Sequence, residues 1–447
     1  MEPRQPILDL GPAFYDKVAP ADFPHAIPRF LNHRWAAQVG LGQVEWEKHF
    51  ARFEPLPGNL PEPLALRYHG HQFRHYNAEL GDGRGFTFAQ VRDEAGRLLD
   101  LGTKGSGQTP WSRQGDGRLT LKGGVREVLA TEMLEALGVN TSKSFALFET
   151  GEQLVRGDEP SPTRSAVLTR LGHGHIRIGT FQRLAYYQDA DGLKKLTHYC
   201  LDHLYGQDSD DPLRLFDLVC GATATLAASY VAAGFVHGVL NSDNIAVTGE
   251  SFDYGPWRFA PDWDEGFTAA YFDHAGLYAF GRQPEAIQWN VAQLAGCLAL
   301  IADARALSDL LPEWPARFEA ALVERLISRL GVERSDDDRA LVSALLTALR
   351  SRIVGIDRLF FDWRGGRAPA DQAYRDPSFD GLRFALIDRE RPLSHAYWSD
   401  PAPCSMLIEE VEAIWAAIAD RDEWMPFEAK IAAIRRMGEA HQGSGDA

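Results

Sequence analysis

The stretch His237-Gly238-Val239-Leu240-Asn241-Ser242-Asp243-Asn244, followed nine residues after Asn244 by Asp253-Tyr254-Gly255, narrows the possible folds of this chain more than any other. It has a loop ending in Asn, a short segment, and then an Asp-aromatic-Gly triplet. Asn244 and Asp253 are hard oxygen donors of the kind that hold Mg²⁺ or Mn²⁺ against phosphates. Asp243 is the only carboxylate in the loop and is placed to act as general base for an incoming hydroxyl. The competing reading is a turn Asp capping a strand at 245–247. Upstream, 212–233 carries apolar residues at 213, 216, 219, 220, 226 and 230 and runs into Gly234, which predicts a helix delivering the chain to the loop.

This layout is that of a kinase-type nucleotide site. In protein kinases the loop reads His-Arg-Asp with Asn five residues after the Asp, and the later Asp holds the metal. Val239 stands where that first Asp would be, and it can neither accept a proton nor bind a metal. The metal ligands are kept while the base is lost or moved to Asp243.

The first half of the chain agrees. Residues 85–92 and 97–104 read as strands separated by the turn Asp93-Glu94-Ala95-Gly96. Residues 123–137 have helical spacing and stop at Gly138, and strand character returns at 144–148 and 165–171. Strand, strand, helix, strand, strand is the order of a kinase N-lobe. Gly81-Asp82-Gly83-Arg84-Gly85 lies just before the first strand, where backbone N–H groups can approach phosphates; a plain tight turn is the alternative. Lys104, at the end of the second strand, with Glu127 on the helix, has the layout of the pair that orients a phosphate-binding ammonium. A second Gly-rich loop over 105–118, containing Asp116 and Gly117, is long for a simple connection. Arg170 and Arg177 are candidate phosphate clamps, with surface salt bridging as the alternative. His69, His71, His173 and His175 lack metal-ligand spacing with Cys or carboxylates and read as hydrogen-bonded histidines.

Net charge is −16, which argues against nucleic acid as a partner because backbone neutralisation needs a basic face. Lys is scarce, eight against 38 Arg, so Lys104 stands out within its Gly-rich segment. The cysteines Cys200, Cys220, Cys297 and Cys404 have no metal spacing and are expected as free thiols, mostly buried. The N-terminus has no apolar core of signal-peptide length, and no run of ~18 apolar residues is apparent, so a cytoplasmic protein without membrane contact is expected.

The expected architecture is α+β, a protein-kinase-like bilobal fold. Residues 1–60, rich in Pro and aromatics, form an extension packed on the body; 61–165 form an N-lobe of small antiparallel sheet plus helix. Residues 166–365 form a mainly helical C-lobe, with helices over 285–303, 315–330 and 336–353 (Ser335 as N-cap). A linker at 365–370 leads to a helical extension over 366–447.

Several segments together are highly specific: Tyr68-His69-Gly70-His71-Gln72-Phe73, Leu80 to Arg84, Lys104 to Gly107, Ser112-Arg113 with Gly115 to Arg118, Arg170 to Arg177, His237-Gly238-Val239, Asp253 to Pro256, Tyr278 to Gly281, Gln283-Pro284 and Trp289-Asn290. Over roughly 60–300 the chain resembles the selenoprotein O family, the bacterial YdiU-type proteins. The resemblance implies a pseudokinase fold that transfers AMP from ATP to protein hydroxyls, with ATP flipped relative to ordinary kinases. It puts ATP contacts on Gly81, Gly83, Arg84, Lys104, Asp116, Gly117, Arg170, Arg177 and Asp253, metal ligands on Asn244 and Asp253, and the proton acceptor on Asp243. Arg74 departs from the pattern, replacing the usual Gly after His-Gln-Phe. Asp400-Pro401 stands in place of an Asn-Pro signature, and no Cys near the C-terminus matches the redox position of some members.

The expected function is protein adenylyl transfer to Ser, Thr or Tyr hydroxyls, using ATP and Mg²⁺ or Mn²⁺, by a monomer. The alternatives are an ordinary phosphotransferase, which Val239 disfavours, and a catalytically silent nucleotide-binding scaffold, which would have no need of metal ligands.

Overall fold

The computed structural model describes residues 5–157 and 159–442. Strands dominate the first 172 residues and helices the remainder. The strands are β1 (Tyr15–Lys17), β2 (Ile27–Leu31), β3 (Leu64–Leu66), β4 (Gly70–Gln72), β5 (His75–Asn77), β6 (Thr87–Arg92), β7 (Leu98–Lys104), β8 (Leu119–Thr120), β9 (Lys143–Leu154) and β10 (Thr163–Gly172), with the short pair β11 (Phe235–Val236) and β12 (Arg258–Phe259) later. The main sheet runs β1-β3-β6-β7-β10-β9-β2, all neighbours antiparallel, with β8 on β10.

The N-terminal segment does more than pack on the body. It supplies both outer strands of the sheet, β1 beside β3 and β2 beside β9. Its Phe23, Phe50, Phe53 and Leu56 cover one face of the sheet together with Phe86, Phe88, Phe145 and Phe148. The Leu121–Ala136 helix takes part in the core on the other side through Val125, Val128, Leu129 and Met133. Apolar material therefore covers both faces, so every residue of β7 is buried and the polar alternation of a half-exposed strand is absent.

Helix ends follow their capping chemistry. The Thr120 hydroxyl accepts from Gly123 N–H to start Leu121–Ala136, and Gly138 ends it at φ +76°. Asp211 caps Pro212–Ala233 through Leu213 N–H, and Gly234 at φ +69° stops it. That helix is long and apolar enough to cross a membrane, which corrects the reading that no such run exists; most of it is buried in the core. Trp314–Leu330 packs along it, as does Gln283–Leu298.

Several boundaries differ from expectation, among them Gln283–Leu298 where 285–303 was expected. The helix after Trp314–Leu330 is Asp338–Arg350, with Asp337 at the N-cap position making no side-chain cap bond; Ser335 lies before it, its N–H bonded to the Asp338 carboxylate and its hydroxyl accepting from Asp337 N–H. No strand forms at 245–247; Ala246 makes a single bridge to Arg177. Gly365 and Gly366 are buried and so do not open a linker: the Arg364 guanidinium runs inward to the carbonyls of Ser328 and Arg329. Beyond them, Ile408–Arg421 and Met425–Gln442 fold back onto Leu121–Ala136. There Arg435 grips the buried Glu132 carboxylate at 2.7 and 2.9 Å, and Lys122 pairs with Glu412 at 2.7 Å.

Where the end of β10 meets the loop before Asp253, the Glu250 carboxylate accepts from His173 N–H at 2.7 Å. Burial pushes its carboxyl up to about 7 from the ordinary 4.5, against the pull of Lys143. The native state therefore holds the proton more tightly than the unfolded chain. This stabilisation is complete below about 4.5 and is lost as pH rises through about 7. Glu250→Gln, which mimics the protonated form, is expected to flatten that part of the stability–pH curve. Urea midpoints measured across the window check it; parallel curves for the two proteins would contradict it.

Candidate active site

The ends of β7 and β10, the Gly-rich turn at 81–85, the 105–118 loop and the His237–Asp253 segment converge on one cavity of about 740 Å³. Its lining includes Gly81, Gly83, Arg84, Lys104, Asp116, Gly117, Arg170, Arg177, Asp243, Asn244 and Asp253, which are all the residues singled out from the sequence except Glu127. Seven Lys or Arg and four Asp line it, so the cavity reverses the sign of the protein's −16 charge. A concave site of that sign collects phosphates.

On one wall, Lys104 is the last residue of β7 and is buried, with its ammonium bonded to the Glu127 carboxylate behind it. The same ammonium lies 2.8 Å from Asp253 Oδ1, and Arg170 Nη1 lies 3.2 Å from that oxygen. Burial opposes ionisation of Asp253, but Lys104, Arg170 and Arg84 outweigh it and hold the carboxyl well below its usual range. Asp253 itself takes the left-handed conformation at φ +63°, uncommon for a residue with a side chain. His237, fully buried, fixes the preceding residue by bonding Phe252 O through Nε2 at 3.0 Å.

On the opposite wall, Ser242–Asn244 form one 3₁₀ turn. Asp243 is buried, and its Oδ1 has no hydrogen-bond partner among the described residues. Burial raises its carboxyl to about 6, with Arg177 pulling the other way. Arg177, in turn, donates to Asp243 O at 3.1 Å and to Asp82 at 3.4 Å, and its guanidinium lies 4.1 Å from the Tyr68 ring centre. Asn244 donates its amide N–H to Val239 O at 3.1 Å, which leaves its carbonyl oxygen as the group available to the cavity. Val239 is also on the wall, so the kinase base position is filled by an apolar side chain.

The 105–118 loop closes over the Gly-rich turn. Ser112 donates to Gly83 O, Thr109 donates to Asp82 O, and the Trp111 ring sits so close to Gly81 that an added Cβ would lie 2.4 Å from it. Gly117 at φ +70° passes Gly107 where a methyl would fall 2.2 Å from its carbonyl. The Asp116 carboxylate is held by Arg156 at 2.8 and 3.0 Å.

Sequence reading missed Arg156, Tyr68, Trp111 and the role of Arg113 in the lining. Arg156 and Asp116 are 40 residues apart with no motif linking them, so only the β9–β10 hairpin brings them together. Arg84 and Arg113 make no close ion pair among the described residues and act at longer range, Arg84 on Asp253 and Arg113 on Asp243. The histidines are hydrogen-bonded as expected: His69 to Tyr76 at 2.8 Å, His71 to Gln182 at 2.6 Å, His175 near Asp100 at 3.4 Å. Among the described residues no three His, Cys, Asp or Glu cluster as a metal site.

Fold and site together present a cation-rich cavity of the kind that suits phosphate chemistry. Residues 2–376 match the family described as protein adenylyltransferase SelO. The chain is similar to the protein nucleotidyltransferase YdiU of Gloeobacter violaceus, 42% identical over 96% of this chain and 93% of that protein. The YdiU of Synechocystis sp. is 39% identical over 95% and 96%, and that of Rhodopseudomonas palustris 36% over 94% and 90%. The chain belongs to the SelO family of protein adenylyltransferases.

Proposed function

We propose that this chain transfers AMP from ATP to Ser, Thr or Tyr hydroxyls of other proteins and releases pyrophosphate. The observation that carries the reading is Asp243, a buried carboxylate with an unpartnered oxygen on the wall of a cation-rich cavity whose kinase-type base position is filled by Val239. In this reading Lys104, Arg84, Arg170 and Arg177 hold the phosphates, with Glu127 orienting Lys104. Gly81, Gly83, Asp116 and Gly117 complete the ATP walls. Asp243 takes the proton of the acceptor hydroxyl as its oxygen attacks the α-phosphorus. The bond from that phosphorus to its bridging oxygen breaks, and pyrophosphate leaves with its charge stabilised by the fixed cations.

Asn244 and Asp253 would hold Mg²⁺ or Mn²⁺. The donor set fits: Lys104 and Arg170 both bind Asp253 Oδ1, leaving Oδ2, and Asn244 offers its carbonyl oxygen. Two protein oxygens with the rest supplied by substrate phosphates and water suit Mg²⁺. Such a cation, when bound, neutralises charge on the phosphate oxygens.

The same reading treats 61–165 and 166–365 as the N-lobe and C-lobe of a kinase-like bilobal fold, flanked by extensions at 1–60 and 366–447. It takes the protein as a cytoplasmic monomer with neither nucleic acid nor membrane as partner, in keeping with its charge of −16. Product analysis tests the reaction. Incubation with ATP, Mg²⁺ and dialysed cell extract is expected to release pyrophosphate in step with protein modification; ADP as the stoichiometric product would overturn the proposal in favour of phosphotransfer.

A further inference from the structure

We propose that His71, Gln182 and Ser242 form a closed hydrogen-bond ring that aims Asp243 at the acceptor hydroxyl, so that all three are positioning residues for the transfer. This rests on Asp243 being the base.

The ring has three members from three elements. The backbone N–H of His71 in β4 donates to Ser242 Oγ at 2.6 Å. The Ser242 hydroxyl donates to Gln182 Oε1 at 2.6 Å, on the Ile178–Tyr186 helix. Gln182 returns an amide N–H to His71 Nδ1 at 2.6 Å. With Gln182 Oε1 accepting from the hydroxyl, its amide nitrogen faces His71 Nδ1, which accepts when the imidazole is neutral and protonated on Nε2. Ser242 and Gln182 are buried, at 0% and 3% exposure.

None of the three lines the cavity, whereas their neighbours Gln72, Asn241, Asp243 and Asn244 do. The ring therefore lies behind the wall, out of reach of nucleotide, and works only through the turn it holds. Asn241, Ser242 and Asp243 are each tied to a different neighbour. Asn241 Oδ1 accepts from Phe73 N–H at 3.0 Å and from the Tyr278 hydroxyl at 2.7 Å; Ser242 enters the ring; Asp243 O accepts from Arg177. The β4–β5 hairpin presses from outside: an added Cβ on Gly70 would lie 2.9 Å from Asp243 Oδ1. On the helix side, one on Gly179 would lie 2.1 Å from His69 O and 3.5 Å from Asp243 Cα. Oδ1 itself is unbonded, so no hydrogen bond to that oxygen holds the carboxylate, and the ring acts by anchoring Ser242, the residue that precedes it.

The full chain with ATP, Mg²⁺ and a fixed acceptor protein is used for the test, with ATP affinity measured separately by calorimetry. Ser242→Ala and His71→Leu are expected to lower kcat by about tenfold to a hundredfold, as for a misplaced catalytic group, with ATP affinity within about threefold of the parent. His71→Asn, whose Oδ1 can stand in for Nδ1, is expected to keep most of the activity, which also separates positioning from packing if Ser242→Ala folds poorly. Asp243→Asn is run alongside. If it abolishes transfer while Ser242→Ala and His71→Leu turn over like the parent, the ring has no positioning role and the base reading stands. If kcat and ATP affinity fall together in the ring variants, the ring is structural. If Asp243→Asn keeps full turnover, the base reading itself is wrong and the ring has nothing to aim.

Discussion

Replacing Asp243 by Asn is expected to lower turnover by about 10²- to 10⁴-fold, the usual range for a general base, while ATP affinity changes little. The amide keeps the shape of the side chain and its place on the wall but cannot take the proton of an incoming hydroxyl. The cations proposed to hold the triphosphate stand elsewhere: Lys104 and Arg170 at the strand ends, Arg84 on the Gly-rich turn. Arg177 reaches Asp243 through its backbone oxygen, which the substitution leaves in place. Binding and chemistry should therefore separate, with kcat falling and the dissociation constant for ATP holding. Equal losses in both would mean that Asp243 supports the nucleotide site itself.

Lys104→Met is expected to cost about 3–5 kcal/mol of stability and to abolish ATP binding. Lys104 and Glu127 are 4% and 1% exposed, and Glu127 Oε2 already has no partner, so removing the ammonium leaves a buried carboxylate with nothing to balance it. Asp253 loses one of its two direct cations in the same stroke. The double variant Lys104→Met, Glu127→Leu should regain much of the stability, since both members of the buried pair are then gone, yet bind no better. Denaturant midpoints and calorimetric titration with ATP separate these outcomes. A double variant as unstable as the single would show that the lost free energy lies in packing of the lysine stem and not in the unpaired charge.

What the sequence made readable was local or carried by one-residue chemistry. Pro212–Ala233 is bounded by Asp211, Pro212 and Gly234, each with a capping reason, and both its ends agree with the spacing. The Lys104–Glu127 pair, 23 residues apart, was legible because a lysine at a strand end with a glutamate on the following helix is the layout of a kinase-type phosphate-binding pair. The outer strands β1 and β2 were not legible. They are three and five residues long and pair with β3 and with β9, the latter more than 100 residues away, so no local pattern announces them.

The β4–β5 hairpin escaped for a different reason. Its turn residues Phe73 and Arg74 have φ +49° and +65°, a conformation usually signalled by Asn or Gly. Arg74 is held there from outside, by Glu285 at 3.1 Å and by the Trp289 ring at 5.4 Å. The departure from Gly noted in the sequence thus falls on the one position where Gly would have marked the turn. Gly365-Gly366 misled in the opposite direction: two glycines suggested a linker, whereas both take positive φ inside the core, where a Cβ on either would meet backbone carbonyls within about 3.0 Å.

The central claim is that the cavity delivers the α-phosphorus, and not the γ-phosphorus, to a protein hydroxyl. Parallel incubations with ATP labelled at the α- or the γ-phosphate, using parent and Asp243→Asn proteins, test it most directly. Label entering protein from the α position only, and lost in the Asp243 variant, is the predicted result; label entering from the γ position would contradict it.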